Sequence, residues 1–340
     1  MNAPERIIDR RTFLGGSDVA AVLGLSPWAT PLDIYLRKTG QMPETGRESD
    51  PQRERVLKRG KRLEPIVVDM LIEEHGIQVT KRSLPEAPNR YVDPEYGFLA
   101  AEIDFEWKVT PEVADAFNLD ADLIGTIQNG EVKTVHPFAA GKFGEADTDE
   151  IPIEYAAQAM HGLMVSGRQL TMFGVLVGAD NLNVYWIKRD EETITGMRDK
   201  SVRFWLDHVE AGVPPAPANL PDVMHLFNRK AETRIEANAV VKDLVEQLVG
   251  LSAAQATAAQ GIEEVKFQIG TYMLGAEQMA APSKPGRHLL TYQGKELLTV
   301  ALQSQSRLDQ KALKEKHPEI AAECMKTASF FAFRPKRGKQ

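Results

Sequence analysis

A charged tripeptide follows a predicted turn near the middle of the chain. In the segment Gly130-Glu131-Val132-Lys133-Thr134, strand alternation places Glu131 and Lys133 on one face. The glutamate can hold a divalent cation, with the Val132 carbonyl as a neighbouring oxygen ligand, and the lysine can orient water or stabilise a charged phosphate. The same pattern is also typical of a solvated ion pair on a strand, so it indicates a site only together with further acids.

A second acid comes from an earlier predicted strand. Within LAAEIDFEW, Asp104 follows small and apolar residues that indicate burial. A buried carboxylate needs a cation or strong hydrogen bonds to stay ionised, which makes Asp104 a candidate metal ligand. Glu102, Asp104 and Glu106 share one face by alternation, so a solvent-facing acidic stripe is the competing interpretation.

Other acids remain open as ligands of the same site. The interval between Asp104 and Glu131 is longer than a hairpin needs, so Asp120 or Asp122 is an alternative to Asp104. Glu64 lies in the basic stretch KRGKRLEP, where it either faces the site or pairs with the neighbouring arginines. Oxygen ligands of this kind favour Mg²⁺ or Mn²⁺.

Composition limits the class of protein. A chain of 340 residues with 43% hydrophobic content can form one large domain, or a domain with an appendage. The single cysteine, Cys324, cannot form an internal disulfide or build a zinc site by itself. No segment has the length of apolar sequence that spans a bilayer, and the amino terminus is polar, so we expect a cytoplasmic protein without a membrane partner.

Charge is unevenly distributed around the net value of −7. Residues 1–62 contain 12 Lys+Arg against 8 Asp+Glu, and residues 305–340 contain 9 against 4. An acidic middle between basic ends suits a carboxylate-rich metal site flanked by segments that contact phosphate. An ordinary acidic protein surface explains the same numbers more simply.

Hydrophobic periodicity predicts the elements that position these residues. We predict helices over 16–24, 30–40, 53–75, 153–166 and 191–211. We predict strands over 77–81, 97–107, 123–128, 131–135, 170–177 and 183–188. Asn129-Gly130 should form a hairpin turn, and Pro65 should kink or restart its helix and so place Glu64 at a helix terminus. This order of elements indicates an α/β core.

A proline-rich segment, 212–217, predicts a boundary between a domain over 1–215 and an extension over 216–340. In the extension, residues 231–281 predict one long helix or a helical pair. A β-hairpin over 288–303 and a short helix over 308–326 follow. The tryptophans lie within apolar elements and are predicted to be core residues, namely Trp28, Trp107, Trp186 and Trp205.

The stretch GGSDVAAVLGLSPW, residues 15–28, is followed by Thr30-Pro31 and Tyr35. It resembles the opening signature of the YqaJ-type viral recombinase nucleases, relatives of lambda exonuclease in the PD-(D/E)xK superfamily. Later pieces occur in the family's order: Gly-x-x-Leu-Glu-Pro, an aspartate on a strand, the Glu-x-Lys strand and a helix with Tyr-x-x-Gln. The resemblance covers residues 10 to about 205. It implies a restriction-endonuclease-like core, with a central mixed sheet flanked by helices.

The resemblance also implies roles for matching residues. Asp104 and Glu131 look like the metal-binding acids, Lys133 like the catalytic lysine, and Glu64 like the glutamate near a second metal ion. Gln158 is similar to the glutamine that positions the attacking water or the scissile phosphate.

Residues that contact DNA follow from the same resemblance. Ser17 resembles the serine that holds a DNA phosphate, which suits a helix N-terminus. Arg10 occupies the matching upstream position, with Arg11 as its competitor. Tyr155 lies one turn before Gln158 and is expected to line the same cleft. The family helix often reads Gln-x-Gln-His, whereas this chain lacks the second glutamine, so His161 is expected to be a packed residue and not a ligand.

The implied function is a Mg²⁺- or Mn²⁺-dependent 5′-to-3′ exonuclease that acts on double-stranded DNA ends in phage-type recombination. Two cations would serve hydrolysis, and the products would carry 5′ phosphates. The resemblance further implies a single-strand annealing protein as a partner and a ring-shaped trimer. An endonuclease of the same fold and a non-catalytic DNA-binding or assembly module are the alternatives.

Overall fold

The computed structural model describes residues 9–43, 51–84, 87–227, 234–276, 287–301 and 310–324. The chain divides by its internal contacts into two units, Met1–Leu226 and Phe227–Gln340. Residues 218–226, directly after the proline-rich segment, belong with the first unit. The Thr30 hydroxyl donates a hydrogen bond to Asp222 in this stretch over 3.1 Å. The domain boundary at residue 215 stays a prediction.

Helices of the first unit begin and end at recognisable capping residues. The Thr30 side chain accepts a hydrogen bond from the Asp33 amide at the start of α2, and Pro31 fills the first helical position. Gly167, with φ 73°, ends α5 in a left-handed conformation. The helices are α1 (Gly16–Val22), α2 (Pro31–Lys38), α3 (Pro51–His75), α4 (Pro111–Ala116), α5 (Ile153–Ser166), α6 (Glu191–Phe204) and α7 (Leu220–Phe227).

The strands of the first unit form a five-stranded mixed sheet and a separate two-stranded sheet. They are β1 (Gln78–Arg82), β2 (Arg90–Val92), β3 (Ala100–Glu102), β4 (Phe105–Lys108), β5 (Ile127–Val135), β6 (Leu170–Val177) and β7 (Asn181–Lys188). The large sheet has the order β1-β4-β5-β6-β7. Only the β5 and β6 pair in this sheet is parallel. The small sheet pairs β2 with β3.

Helices cover both faces of the large sheet. On one face, Leu71 of α3 belongs to a buried cluster with Trp107 and Met172. On the other face, Leu163 of α5 belongs to a cluster with Phe173, to which α1 and α6 also contribute. The prediction of an α/β core with a central mixed sheet flanked by helices is therefore confirmed.

The predicted hairpin turn at Asn129-Gly130 is wrong. β5 runs without a break through both residues, and its partner β4 lies earlier in the chain. Gly130 serves packing instead, because a Cβ atom at this position would overlap the Phe105 ring. Asn129 is fully buried and accepts a hydrogen bond from Arg168 over 2.9 Å.

The predicted restart of α3 at Pro65 is also wrong. The helix continues from residue 51 to residue 75 with Pro65 in its interior. Glu64 therefore lies in the middle of the helix and not at a terminus. The apolar face of the helix, which includes Val67 and Leu71 in the core, outweighs the lost hydrogen bond.

The single strand predicted over 97–107 is divided in two by a bend at Asp104. β3 pairs with β2, and β4 belongs to the large sheet. The long interval before β5 is occupied by α4 and by a 3₁₀ turn, Ala121–Leu123. A helical insertion therefore explains why the connection exceeds the length of a hairpin.

In the second unit, the elements follow the predicted order, except that two short helices take the place of the single helix predicted over 308–326. The elements are α8 (Ala239–Ala276), β8 (Arg287–Tyr292), β9 (Lys295–Ala301), α9 (Gln310–Lys316) and α10 (Pro318–Cys324). β8 and β9 pair as an antiparallel hairpin. The predictions of a long helix and a following hairpin are confirmed. Within the described ranges, no helix combines the length and the apolar character needed to cross a membrane.

Candidate active site

The candidate site lies where β4, β5 and α5 meet, and strand pairing explains why. Because Phe105 of β4 pairs with Gly130 of β5, the bend before β4 brings Asp104 beside the next residues of β5. Oδ2 of Asp104 accepts a hydrogen bond from the Val132 amide over 2.9 Å. This bond holds the first acid of the predicted site against the strand that carries the Glu-x-Lys motif.

Glu131 lies at the centre of the site. Its side chain is buried, and its Oε2 accepts hydrogen bonds from Lys133 Nζ over 3.3 Å and from Gln158 Nε2 over 2.9 Å. Lys133 follows Glu131 on the same face of β5, and Gln158 reaches the sheet from α5. Three residues predicted to act together therefore meet at one carboxylate.

Negative charge accumulates around Glu131. Burial, and then the charge of Asp104, raise the pKa of Glu131 to about 8, and the two carboxyl groups are close enough to share a hydrogen bond. Burial and then Asp104 also raise the pKa of Glu64 to about 7. Burial lowers the pKa of Lys133, but the charges of Glu131 and Asp104 outweigh burial and raise it overall. The single positive charge of Lys133 does not neutralise the carboxyl groups of Glu131, Asp104 and Glu64.

The accumulated acid fits a divalent cation. Carboxylates that lie close together are stabilised when a cation lies among them, and their oxygens are the donors that Mg²⁺ and Mn²⁺ favour. Among the described residues, no three His, Cys, Asp or Glu side chains are arranged to hold a metal ion by themselves. A cation here would therefore bind to Asp104 and Glu131, with backbone and water oxygens completing its ligands.

The alternative aspartates lie elsewhere on the first unit. Asp120 forms an exposed ion pair with Lys188 over 2.8 Å, and Asp122 is exposed in the 3₁₀ turn before β5. The structure thus brings Asp104, and neither alternative, to the Glu-x-Lys strand through the Val132 bond. The aspartate with the better sequence context is also the one beside Glu131.

The bend at Asp104 also contradicts the alternative of a single acidic surface stripe, because Glu102 and Glu106 lie in different sheets. Glu102 is exposed on β3, whereas Glu106 on β4 is buried and pairs with Arg168 over 3.0 Å. Tyr91 donates a hydrogen bond to Glu106 over 2.6 Å. Arg168 also donates a hydrogen bond to Asn129, so this polar network is anchored on β5 two residues before Glu131. Sequence reasoning missed the network, because its members are distant along the chain.

Close packing of α1 against α5 depends on a glycine. A Cβ atom at Gly16 would lie 2.7 Å from Cγ of Gln158, closer than side chains allow. Gly16 therefore places the start of α1 directly against the glutamine of the site. The neighbouring Ser17 is exposed there, as a residue that contacts a phosphate must be.

A buried ion pair stabilises the same end of α1. Asp18 accepts hydrogen bonds from the Gly15 amide over 3.1 Å and from Lys38 Nζ over 2.7 Å. Lys38 also donates to the Arg10 carbonyl over 2.7 Å. Sequence reasoning missed Lys38, since a lysine in the last turn of a helix is usually a surface residue.

The two candidate arginines differ in their surroundings. Arg10 is exposed, and its guanidinium carbon lies 6.0 Å from the centre of the Phe13 ring. Arg11 forms hydrogen bonds and an ion pair with Asp9, with a shortest distance of 2.7 Å. The Arg11 contact with Asp9 leaves Arg10 as the stronger candidate for a DNA phosphate.

Aromatic rings extend from the site to the surface. Lys133 Nζ lies 5.5 Å from the centre of the Tyr155 ring, and Trp28 packs 5.9 Å from that ring. Trp28 is 52% exposed, so the prediction that it is a core residue is wrong. The tryptophan follows α1 in a loop and packs on α5 from outside. The other three tryptophans are buried as predicted.

His161 is packed inside the first unit. Its Nε2 lies 2.9 Å from the Ala100 carbonyl oxygen, and burial lowers the pKa of the imidazole. This placement agrees with the prediction that His161 is a packed residue.

Comparison with known proteins shows what the chain is similar to. Residues 8–169 match the YqaJ-like viral recombinase domain. The chain is 28% identical to the uncharacterized protein YqaJ of Bacillus subtilis (strain 168), over 98% of this chain and 94% of that protein.

Among solved structures, the chain is similar to an alkaline exonuclease from Laribacter hongkongensis, LHK-Exo, with 18% identity and a TM-score of 0.41. The match covers 60% of this chain and 91% of that chain. The complex of LHK-Exo with dAMP matches over the same shares, with 19% identity and a TM-score of 0.41. The match to the family model covers residues 8–169, the part of the chain that contains Asp104, Glu131, Lys133 and Gln158.

Proposed function

We propose that this domain is a divalent-metal-dependent nuclease that hydrolyses phosphodiester bonds in DNA. The observation that carries the proposal is the meeting of Lys133 and Gln158 at the Glu131 carboxylate, with Asp104 bound beside it. An acidic pocket that fits a cation, next to a lysine and an amide, has the groups that phosphodiester hydrolysis requires.

Each residue has a distinct task in this proposal. Asp104, Glu131 and the Val132 carbonyl would hold Mg²⁺ or Mn²⁺, with Glu64 near a second ion. The bound metal would supply an activated water and neutralise charge on the phosphate and the leaving 3′ oxygen. Lys133 is held at Glu131, where its ammonium can stabilise the phosphate as negative charge develops.

Gln158 would position the water. Its amide nitrogen donates a hydrogen bond to Glu131, a residue of the proposed metal site. This bond orients the amide oxygen of Gln158. An amide oxygen accepts a hydrogen bond from water without taking its proton. Gln158 is therefore suited to orient the attacking water. The products of the proposed hydrolysis would carry 5′ phosphates.

The direction of digestion rests on residues near the start of α1. Arg10 and Ser17 are exposed, and the packing of Gly16 on Gln158 places this end of the helix beside the site. A 5′ phosphate bound there would favour 5′-to-3′ exonuclease action on double-stranded ends, within phage-type recombination. By resemblance, the proposal extends to a single-strand annealing partner and a ring-shaped trimer.

A digestion experiment tests the proposal. Linear duplex DNA with or without 5′ phosphates and covalently closed circular duplex would be incubated with the purified protein, Mg²⁺ or EDTA. We expect Mg²⁺-dependent loss of linear DNA, faster with 5′ phosphates, and an intact circle. Cutting of the circle would identify an endonuclease. Undigested DNA in every reaction would refute the proposed nuclease activity.

A further inference from the structure

The long helix α8 carries an uninterrupted seven-residue repeat. Steps of three and four residues alternate along the helix, so the repeating positions form one stripe. We call this stripe the α8 seam, and it consists of Val241, Leu244, Leu248, Leu251, Gln255, Ala258, Ile262, Val265, Ile269 and Tyr272. A strict 3.5-residue period over this length is typical of a helix that pairs with another helix.

The seam is largely exposed. Leu251 is 70% exposed, Ile262 55% and Tyr272 69%. An apolar stripe of this length marks an interaction surface, because burial against a partner removes it from water. The glycines Gly250 and Gly261 each weaken a helix by about 1 kcal/mol relative to alanine. Association would therefore stabilise a helix whose own sequence is not optimal.

Charged residues of α8 lie away from the seam. Lys242 pairs with Glu246 over 2.8 Å on the outer side, one turn apart. Glu263 and Glu264 also occupy outer positions, and Lys266 is the charged residue next to the seam. Two copies of the helix could thus approach along the seam without like charges in the contact.

We propose that α8 pairs in parallel and in register with α8 of a second copy of this chain. Gln255 is the polar residue of the seam and indicates this partner and register. In-register pairing places the two Gln255 side chains opposite each other, where each amide can donate to and accept from the other. A shifted register would bury each amide among apolar side chains, which costs free energy.

This inference is independent of the proposed nuclease. The domain match ends at residue 169, and α8 begins at residue 239. The seam therefore assigns a function to the C-terminal part of the chain.

Light scattering on the full chain measures the association. The wild-type protein should have a multiple of the single-chain mass, and the double variant Leu248→Glu/Ile262→Glu should have a smaller mass at the same concentration, whether or not the nuclease itself forms the proposed ring. The matched control Val249→Glu/Phe267→Glu adds the same charges on outer positions and should remain associated. A wild-type protein of single-chain mass, or a seam variant with the same mass as the wild type, would overturn the proposal.

A cross-linking experiment tests the register without disturbing the fold. With Cys324→Ser as background, Leu244→Cys should form a disulfide between two copies under mild oxidation, and the outer-position control Phe267→Cys should not. Absence of the Leu244→Cys cross-link in an associated protein would refute the in-register parallel arrangement.

Discussion

Two buried pairs of lysine and carboxylate in the first unit look alike but differ in their surroundings. Lys38 and Asp18 are 2.7 Å apart, with side chains 0% and 4% exposed. Lys133 and Glu131 are 3.3 Å apart, with side chains 18% and 4% exposed. Lys38 also binds the Arg10 carbonyl, and Asp18 also binds a backbone amide.

The second pair has a surplus of acid. Asp104 lies beside Glu131 and raises its pKa, and Asp104 also raises the pKa of Glu64 on α3. A pair whose hydrogen bonds are complete stabilises a fold, whereas a pair with excess carboxylate needs a further cation. The local balance of charge, more than burial alone, therefore separates a structural pair from a candidate active site.

The largest expected effect is a loss of DNA digestion when the Lys133–Glu131 pair is changed. Glu131→Gln removes one carboxylate of the metal site, so DNA digestion should fall by about 10³-fold or more. The matched control Asp120→Asn changes an exposed acid and should retain activity. Comparable digestion by Glu131→Gln and the wild type, with both folded by circular dichroism, would contradict the proposed site.

At the structural pair, the expected effect is on folding. Lys38→Met leaves Asp18 buried without its cation, which should reduce the free energy of unfolding by about 3–5 kcal/mol. Denaturant titration measures this change. Lys133→Met should lower stability far less, because it removes a cation from a site that water can reach. Equal losses in the two variants would remove the distinction between the pairs.

A smaller effect is expected at the surface next to Lys133. Trp28 is exposed and packs against Tyr155 with tilted rings, so it can contact a base of bound DNA. Trp28→Ala should weaken DNA binding by about 1–3 kcal/mol, as loss of one stacked base does. Binding would be measured by fluorescence anisotropy in the Glu131→Gln background, where DNA should stay intact. Unchanged affinity would exclude Trp28 from the DNA surface.

The pH dependence of stability should show the smallest change. The folded-state pKa values of Glu131 and Glu64, about 8 and about 7, exceed the usual glutamate value of 4.5. Such groups contribute stability that is full below pH 4.5 and is lost as pH rises through 7 to 8. Without metal, the melting temperature should therefore fall over this range by a few degrees, on the order that small free-energy changes produce.

Glu131→Gln should show less of this fall, and Mg²⁺ should reverse it in the wild type. Differential scanning fluorimetry in EDTA and in Mg²⁺ would measure both. A melting temperature that rises between pH 6 and pH 9 without metal would have the wrong sign.

Glu131 and Lys133 could be predicted from the sequence, because strand alternation over a few residues determines their relative position. Alternation on β5 places Glu131 and Lys133 together, whereas Gln158 was implied by the family resemblance. The resemblance then selected Asp104 from three candidate aspartates, and the structure places it beside Glu131.

Local rules failed where distant side chains decide the conformation. Asn129-Gly130 has the composition of a turn, but the Phe105 ring requires a glycine inside a strand. Lys38 has the position of a surface residue, but Asp18 of another helix holds it in the interior. Such contacts join residues that no short sequence window contains.

The packing of Gly16 against Gln158 would also set a distance in the proposed nuclease. Because Gly16 has no side chain, the start of α1 and Gln158 of α5 lie in direct contact, and a Cβ atom at residue 16 would force them apart. Under the proposed function, a DNA end held at Ser17 would lie at a distance from Glu131 that this helix contact determines.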